Sequence, residues 1–384
     1  MRDEKILFSP MVTFIVPCYK LANYLIECVN SIISQSFKDI EILILDDQSP
    51  DDTAEISSSI VSTHPQHNIS YILNNENLGN IRNYNKGIGM ARGKYVWILS
   101  PDDRLRSENI VEKYVQLMES HPEVGYIFCP GFMIEGDQDM GLYSPSLYGK
   151  KDQILDGPQF AEDIVDNNFE LLAPSVMIRK KCYEEITFFP EDMPHRGDSY
   201  VWALIAMQYK VGYFAEAMVD YRIHDKSMKS ILAREKIASI IADEITVTWR
   251  IMAEAEKRNF YHIVGHCMEA IVQIYARALF GNQCRGNSFR LPLSKFETSL
   301  NKFQPDPIVR SSLRCKVLSA YGDRLYWGNR FSEAKDIYRM ANAAYGNKMT
   351  RFRLTVLAKL ILLQFGTAGG IIRHILDKGR KIAK

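Results

Sequence analysis

The chain has 384 residues, 47 basic and 46 acidic, for a formal net charge of +1. So even a balance gives no electrostatic footprint for nucleic acid, and the 46% apolar content excludes a disordered chain. The length supports about two domains, each with its own core.

At the start, an apolar run at 11–16 follows charged residues. Asp3 and Glu4 do not suit a secretory leader, and Pro10 and Pro17 flank a run that is too short for one. We expect a cytosolic start, and seven cysteines without a paired or C-x-x-C pattern fit a reducing compartment. Cys18, Cys28 and Cys129 lie in apolar patterns and read as small buried hydrophobes. Residues 12–16 read as a β-strand closed by Pro17, and 23–35 as a helix carrying Leu25, Val29 and Ile32 on one face. A second strand at 41–45 ends in Asp46-Asp47. A helix at 51–61 follows, with Ser49-Pro-Asp-Asp as its cap. The pattern repeats with a strand at 69–73, a helix at 79–91 and a strand at 95–99. Strands alternating with helices predict a mostly parallel, doubly wound α/β sheet.

The fourth strand stops at Ser100-Pro-Asp-Asp, where a carboxylate pair emerges at the sheet edge on which α/β folds gather ligands. The same tetrapeptide can be a helix start. Here Arg104, Leu105 and Arg106 intervene before Ser107, a better cap for the helix at 108–120, so Asp102 and Asp103 are left in a loop. Gly87, Gly89 and Gly93 mimic a dinucleotide fingerprint. They fall late in the third helix rather than after the first strand, so that cofactor is rejected and Gly93 reads as a helix C-cap.

A strand at 126–129 and a long polar loop at 136–157 follow. Then come a helix at 160–165, strands at 175–178, 211–214 and 218–223, and a helix at 199–208, with the first domain ending near residue 230. From 231 the patterns are helical, at 231–258, 263–279 and 308–327. Residues 321–345 read as one tetratricopeptide-like helix pair through Gly322, Leu325, Tyr326, Ala334 and Tyr338. The tail carries Lys348, Arg351, Arg353, Lys359, Arg373, Lys378, Arg380, Lys381 and Lys384 against a single acid, Asp377. It reads either as a solvated face or as an interfacial helix whose Leu357, Leu360, Ile361 and Leu363 dip into anionic lipid. A true span at 354–372 is rejected, because Lys359 near its middle would cost about 2.5–3.5 kcal/mol.

Five motifs fall in order. They are Val12-Thr-Phe-Ile-Val-Pro-Cys-Tyr-Lys, Ile44-Leu-Asp-Asp-Gln-Ser, Asn77-Leu-Gly through Asn85-Lys-Gly, Ser100-Pro-Asp-Asp, and Tyr221-Arg-Ile-His-Asp-Lys-Ser. Together they resemble the family 2 glycosyltransferases of GT-A fold over residues 12–230, followed by a helical region at 231–384. Two positions depart from that family, with Lys20 where it has Asn and Gly197 where it has Glu. The resemblance implies inverting transfer from a nucleotide-sugar donor to a glycan or lipid-linked acceptor, in surface polysaccharide or glycoconjugate synthesis at the cytosolic membrane face. It implies Asp103 as ligand to Mn²⁺ or Mg²⁺ with His224 as a further ligand, and Asp102 on the ribose or the metal's water. Asp47 would meet the base in a pocket lined by Pro17 and Tyr19, and Arg82 would reach the diphosphate. The catalytic base would be Asp198, with Glu191 and Asp192 as rivals. Two other readings stay open. One is a sugar nucleotidyltransferase, although 17–22 lacks its Gly-rich basic loop. The other is a catalytically silent module binding partners through its helical half.

Overall fold

The computed structural model describes residues 9–136, 138–143, 148–166, 171–224, 237–284, 287–344 and 351–363. These fall into two compact units, one within residues 1–231 and 250–264, the other within 232–249 and 265–384. The basic tail beyond residue 363, Lys348, and the last three residues of the Tyr221 motif lie outside the described residues.

In the first unit the expected alternation is present: β1 (Val12–Cys18), α1 (Ala22–Ile33), β2 (Ile40–Asp46), α2 (Thr53–Thr63), β3 (Asn68–Leu73), α3 (Asn80–Met90) and β4 (Tyr95–Ile98). β1 pairs in parallel with both β2 and β4, and β2 with β3, so their carboxyl ends share one edge of the sheet. Next come β5 (Arg104–Leu105), α4 (Ile110–Ser120), β6 (Val124–Phe128), β7 (Gly131–Glu135), β8 (Gln138–Tyr143), β9 (Gln153–Leu155), α5 (Gly157–Asp166), β10 (Met177–Arg179), α6 (Lys180–Glu185), α7 (Gly197–Ala206), β11 (Lys210–Tyr213) and β12 (Val219–Arg222).

Two sheets result. The larger has the order β3-β2-β1-β4-β10-β6-β11-β9, with β10 antiparallel to both of its neighbours. The smaller has the order β5-β12-β7-β8. The expected polar loop at 136–157 therefore contains β8 and β9. Gln138–Tyr143 is held by antiparallel pairing to β7, which in turn pairs in parallel with β12.

The core is built on the apolar strand residues. Phe14, Trp97, Tyr114 and Phe214 stack with successive centroid separations of 5.1, 4.9 and 5.5 Å. Such pairs are worth roughly 0.5–1.5 kcal/mol each beyond their buried area. The indole N–H of Trp97 donates to the Pro174 carbonyl at 2.8 Å, which satisfies the polar atom that this core encloses. Cys18, Cys28 and Cys129 are buried free thiols.

Three local expectations need correction. Gly93 is no C-cap: α3 ends at Met90, and a Cβ on Gly93 would lie 2.5 Å from the Thr13 backbone nitrogen, so close approach to β1 requires glycine. Ser49 does not cap α2, whose N-cap residue is Asp52; its Oγ instead accepts from the Lys20 N–H at 2.6 Å. Nor does Ser107 cap α4, where Asn109 occupies the N-cap position.

In the second unit, Pro307 starts a long helix (Pro307–Trp327) whose N-cap Asp306 accepts from the N–H groups of Ile308 and Val309 at 2.7 and 3.0 Å. It packs on the helix Phe331–Ala344, where a Cβ on Gly322 would meet the Tyr338 ring at 2.7 Å. Lys359, on the helix Arg351–Leu362, pairs with Asp323 at 2.7 Å and is only 16% exposed, so this cation of the tail faces the bundle. Among the described residues one helix, Tyr261–Phe280, is long and apolar enough to cross a membrane. Its Cys267, Ile271, Tyr275 and Ala278 are buried in the protein core.

Candidate active site

The site is assembled at the carboxyl edge of the parallel strands. β1 and β4 run in register, Ile15 opposite Ile98, and the Leu99 N–H donates to the Ile15 carbonyl at 2.9 Å. That pairing delivers Ser100 to Asp103 beside the end of β1. β12 brings the late segment to the same place. The His224 ring nitrogen Nε2 lies 3.0 Å from Asp102 Oδ2, although 122 positions separate them. Both side chains are mostly but not wholly enclosed, at 13% and 14% exposure.

The two carboxylates differ in their surroundings. Asp103 is 4% exposed and accepts the Arg222 N–H at 3.0 Å. Burial, and then the charge of Asp102, push its carboxyl well above the ordinary range. Asp102 is the carboxylate that faces His224. Adjacent residues in a turn project to different sides, and β12 decides which side is the interior.

Asp47 is buried and engaged. It accepts from Asn74 Nδ2 at 2.8 Å, from the Leu78 N–H at 2.7 Å and from the Gly79 N–H at 2.9 Å. It therefore shapes the turn into α3, while its own N–H donates to the Cys18 carbonyl at 2.9 Å, joining the ends of β1 and β2. Pro17 is half-buried in β1, and Tyr19 just beyond is 42% exposed. Arg82 lies exposed in the first turn of α3, its Nε donating to the Leu78 carbonyl at 2.9 Å.

Asp198 stands in the first turn of α7, with its carboxylate accepting the Ser199 N–H at 2.7 Å. The loop before it hangs on α3. Asn85 donates to and accepts from the Phe189 backbone at 2.8 and 3.0 Å, and Asn80 donates to the Pro194 carbonyl at 3.2 Å. Of the rivals, Asp192 is drawn into an ion pair with Arg250, and Glu191 is exposed.

Tyr84 sits inside the Asn77–Gly87 motif without being singled out by it. Burial, then the charges of Asp102, Asp198 and Asp103, push its phenol well above its ordinary value. Arg222 and Glu27 were also missed, although Arg222 sits inside the Tyr221 motif.

A divalent cation fits part of this set. Asp102 and His224 offer one oxygen and one nitrogen side by side, whereas no cluster of three His, Cys, Asp or Glu side chains occurs among the described residues. Two protein ligands suit Mg²⁺ or Mn²⁺, which complete their shells with water and phosphate oxygens.

The comparisons agree with this architecture. The family model for glycosyl transferase family 2 matches residues 13–169. An uncharacterized glycosyltransferase of Haemophilus influenzae is 28% identical over 59% of this chain and 70% of its own length. The minor teichoic acid biosynthesis protein GgaB of Bacillus subtilis is 27% identical over 57% of this chain, which spans only 23% of GgaB. Among solved structures, S. aureus TarS 1-349 in complex with UDP-GlcNAc superposes with a TM-score of 0.54 at 16% identity, over 94% of this chain and 88% of that one. Residues 13–169 therefore match the family 2 glycosyltransferase model, and the chain has the GT-A fold followed by a helical C-terminal region.

Proposed function

We propose that the protein transfers a sugar, with inversion, from a nucleotide-sugar donor to a glycan or lipid-linked acceptor in the synthesis of a bacterial surface polymer. The observation that carries the reading is the Asp102–His224 pair, 3.0 Å apart beyond the carboxyl end of β4, in a unit whose residues 13–169 match the family 2 model. The relation to GgaB, a protein named for minor teichoic acid biosynthesis, favours a surface-polymer product.

Asp102 and His224 hold Mn²⁺ or Mg²⁺ in this reading, and Asp103 braces the loop from within. The cation, when bound, neutralises charge on the departing diphosphate. In the same reading Asp47 and the backbone at Pro17 and Tyr19 would border the nucleotide base, and Arg82, exposed in the first turn of α3, would reach the diphosphate. Asp198 takes the proton of the acceptor hydroxyl as its oxygen attacks the anomeric carbon. The bond from that carbon to the diphosphate breaks, and the electron pair leaves with the nucleoside diphosphate.

The test is a panel of UDP-, GDP- and dTDP-sugars, beginning with UDP-GlcNAc, assayed for metal-dependent donor hydrolysis and for transfer. Asp102→Asn is expected to abolish both while the protein stays folded. Asp198→Asn is expected to lose transfer by at least 10²-fold but keep donor binding. Near-normal activity in Asp102→Asn would overturn the metal assignment, and lost donor binding in Asp198→Asn would make that residue structural.

A further inference from the structure

We infer that Arg222 is the positioning residue of the Asp102–His224 pair; the inference rests on the reading of that pair as the cation site. Arg222 ends β12 and is 5% exposed. Every nitrogen of its guanidinium is committed, and in a different direction. Nε donates to the Asp102 backbone carbonyl at 2.9 Å, Nη1 to the Gly136 carbonyl at 2.6 Å and Nη2 to Glu27 on α1 at 2.6 Å. Its own N–H meets Asp103 at 3.0 Å. One side chain thus ties the carboxylate loop to α1 and to the second sheet.

His224 follows two residues later, and the connecting Ile223 N–H is itself fixed on the Ile134 carbonyl at 2.8 Å. The guanidinium also covers the Tyr24 ring at 5.1 Å, and Tyr24 in turn lies 5.2 Å from the His224 ring. Both members of the pair are therefore located by Arg222, Asp102 through its peptide and His224 through the strand and Tyr24. Glu27 also receives Arg104, Arg104 and Arg106 share the buried Asp220, and Arg106 also pairs with Asp139, so three arginines meet three carboxylates in this network. A lysine keeps the charge but cannot make three divergent bonds from a planar fork. Arg222 itself touches neither the side-chain oxygens of Asp102 nor the imidazole. Its effect is geometric, and geometry behind a ligand is worth about 10- to 100-fold in metal affinity.

The experiment measures Mn²⁺ binding to the full chain by the free-ion paramagnetic resonance signal, with UDP present at fixed concentration. The variants are Arg222→Lys, Glu27→Gln, Asp102→Asn, His224→Ala and the Arg222→Lys/His224→Ala double variant, each checked for fold by circular dichroism. Arg222→Lys is expected to weaken Mn²⁺ binding by about 10-fold or more, and the double variant to bind about as poorly as His224→Ala alone, since both act on one pair. Should Arg222→Lys fail to fold, Glu27→Gln decides: it keeps the guanidinium but removes the charge of its outer anchor, and weakened binding is expected. Wild-type Mn²⁺ affinity in a folded Arg222→Lys or Glu27→Gln, with Asp102→Asn and His224→Ala impaired, overturns the inference alone. If Asp102→Asn and His224→Ala also bind Mn²⁺ like the wild type, the cation-site reading falls and the inference falls with it.

Discussion

Lys20, one of the two departures from the family pattern, has a φ of 60°, in the left-handed region that asparagine tolerates and lysine does not favour. Its N–H is held by Ser49, so the loop after β1 imposes this conformation whatever the side chain. Lys20→Asn is therefore expected to raise stability by up to about 1 kcal/mol, seen as a higher denaturation midpoint with unchanged slope. Gly197 is different. It starts α7 without positive φ, and an added Cβ would find ordinary contacts with Pro190 and Ile81, so space does not demand a glycine there. The same scale governs Asp102 and Asp103. Their emergence from β4 was readable, because an apolar strand running into two acids is a strong local pattern. Which acid pairs with His224 was not, because its neighbour Asp103 is claimed by the N–H of Arg222, 119 positions further along the chain.

At the scale of elements, the motif around α3 carries a structural meaning that sequence alone did not reveal. Its asparagines suspend the loop that leads into α7. Asn85→Ala would leave both the N–H and the carbonyl of Phe189 without their partner. We expect a loss of about 1–3 kcal/mol, with transfer reduced more than donor binding because the loop places Asp198. Thermal unfolding read beside both activities checks this. β4 and α4 are joined by a further contact, in which Glu119 receives Lys94 Nζ at 2.6 Å and the Tyr95 hydroxyl at 2.6 Å. The bond from Lys94, then that from Tyr95, holds its carboxyl below the ordinary 4.5. A lowered carboxyl stabilises the fold above that ordinary value and loses its contribution as pH falls through the folded one. Glu119→Gln should therefore flatten the acid side of the melting temperature against pH, and an unchanged acid limb would count against this pair. The strands β7, β8 and β9 escaped the sequence reading for a related reason. Gln138–Tyr143 is short, polar and contains a glycine, so its strand character comes from pairing with β7 and not from its own pattern.

For the molecule as a whole, the proposed donor site draws on elements that are distant in the chain, so ligand binding should register as global stability of the first unit. A correct donor with Mn²⁺ at about one hundred times its dissociation constant adds about 2.7 kcal/mol to the folded state. We expect a metal-dependent rise in melting temperature with one class of nucleotide sugar and none with the others; equal shifts for all would argue against a specific donor pocket. The parallel half of the sheet, the helical character of the second region and the acids at the strand ends were determined by the sequence itself. Apolar periodicity and abrupt polar stops are local properties that survive without a partner. The antiparallel insertion of β10, the second sheet, the pairing of Asp102 with His224 and the suspension of the Asp198 loop were decided only by tertiary structure. Each depends on groups brought together across many residues, where the physical determinant is a neighbour in space that no local pattern names.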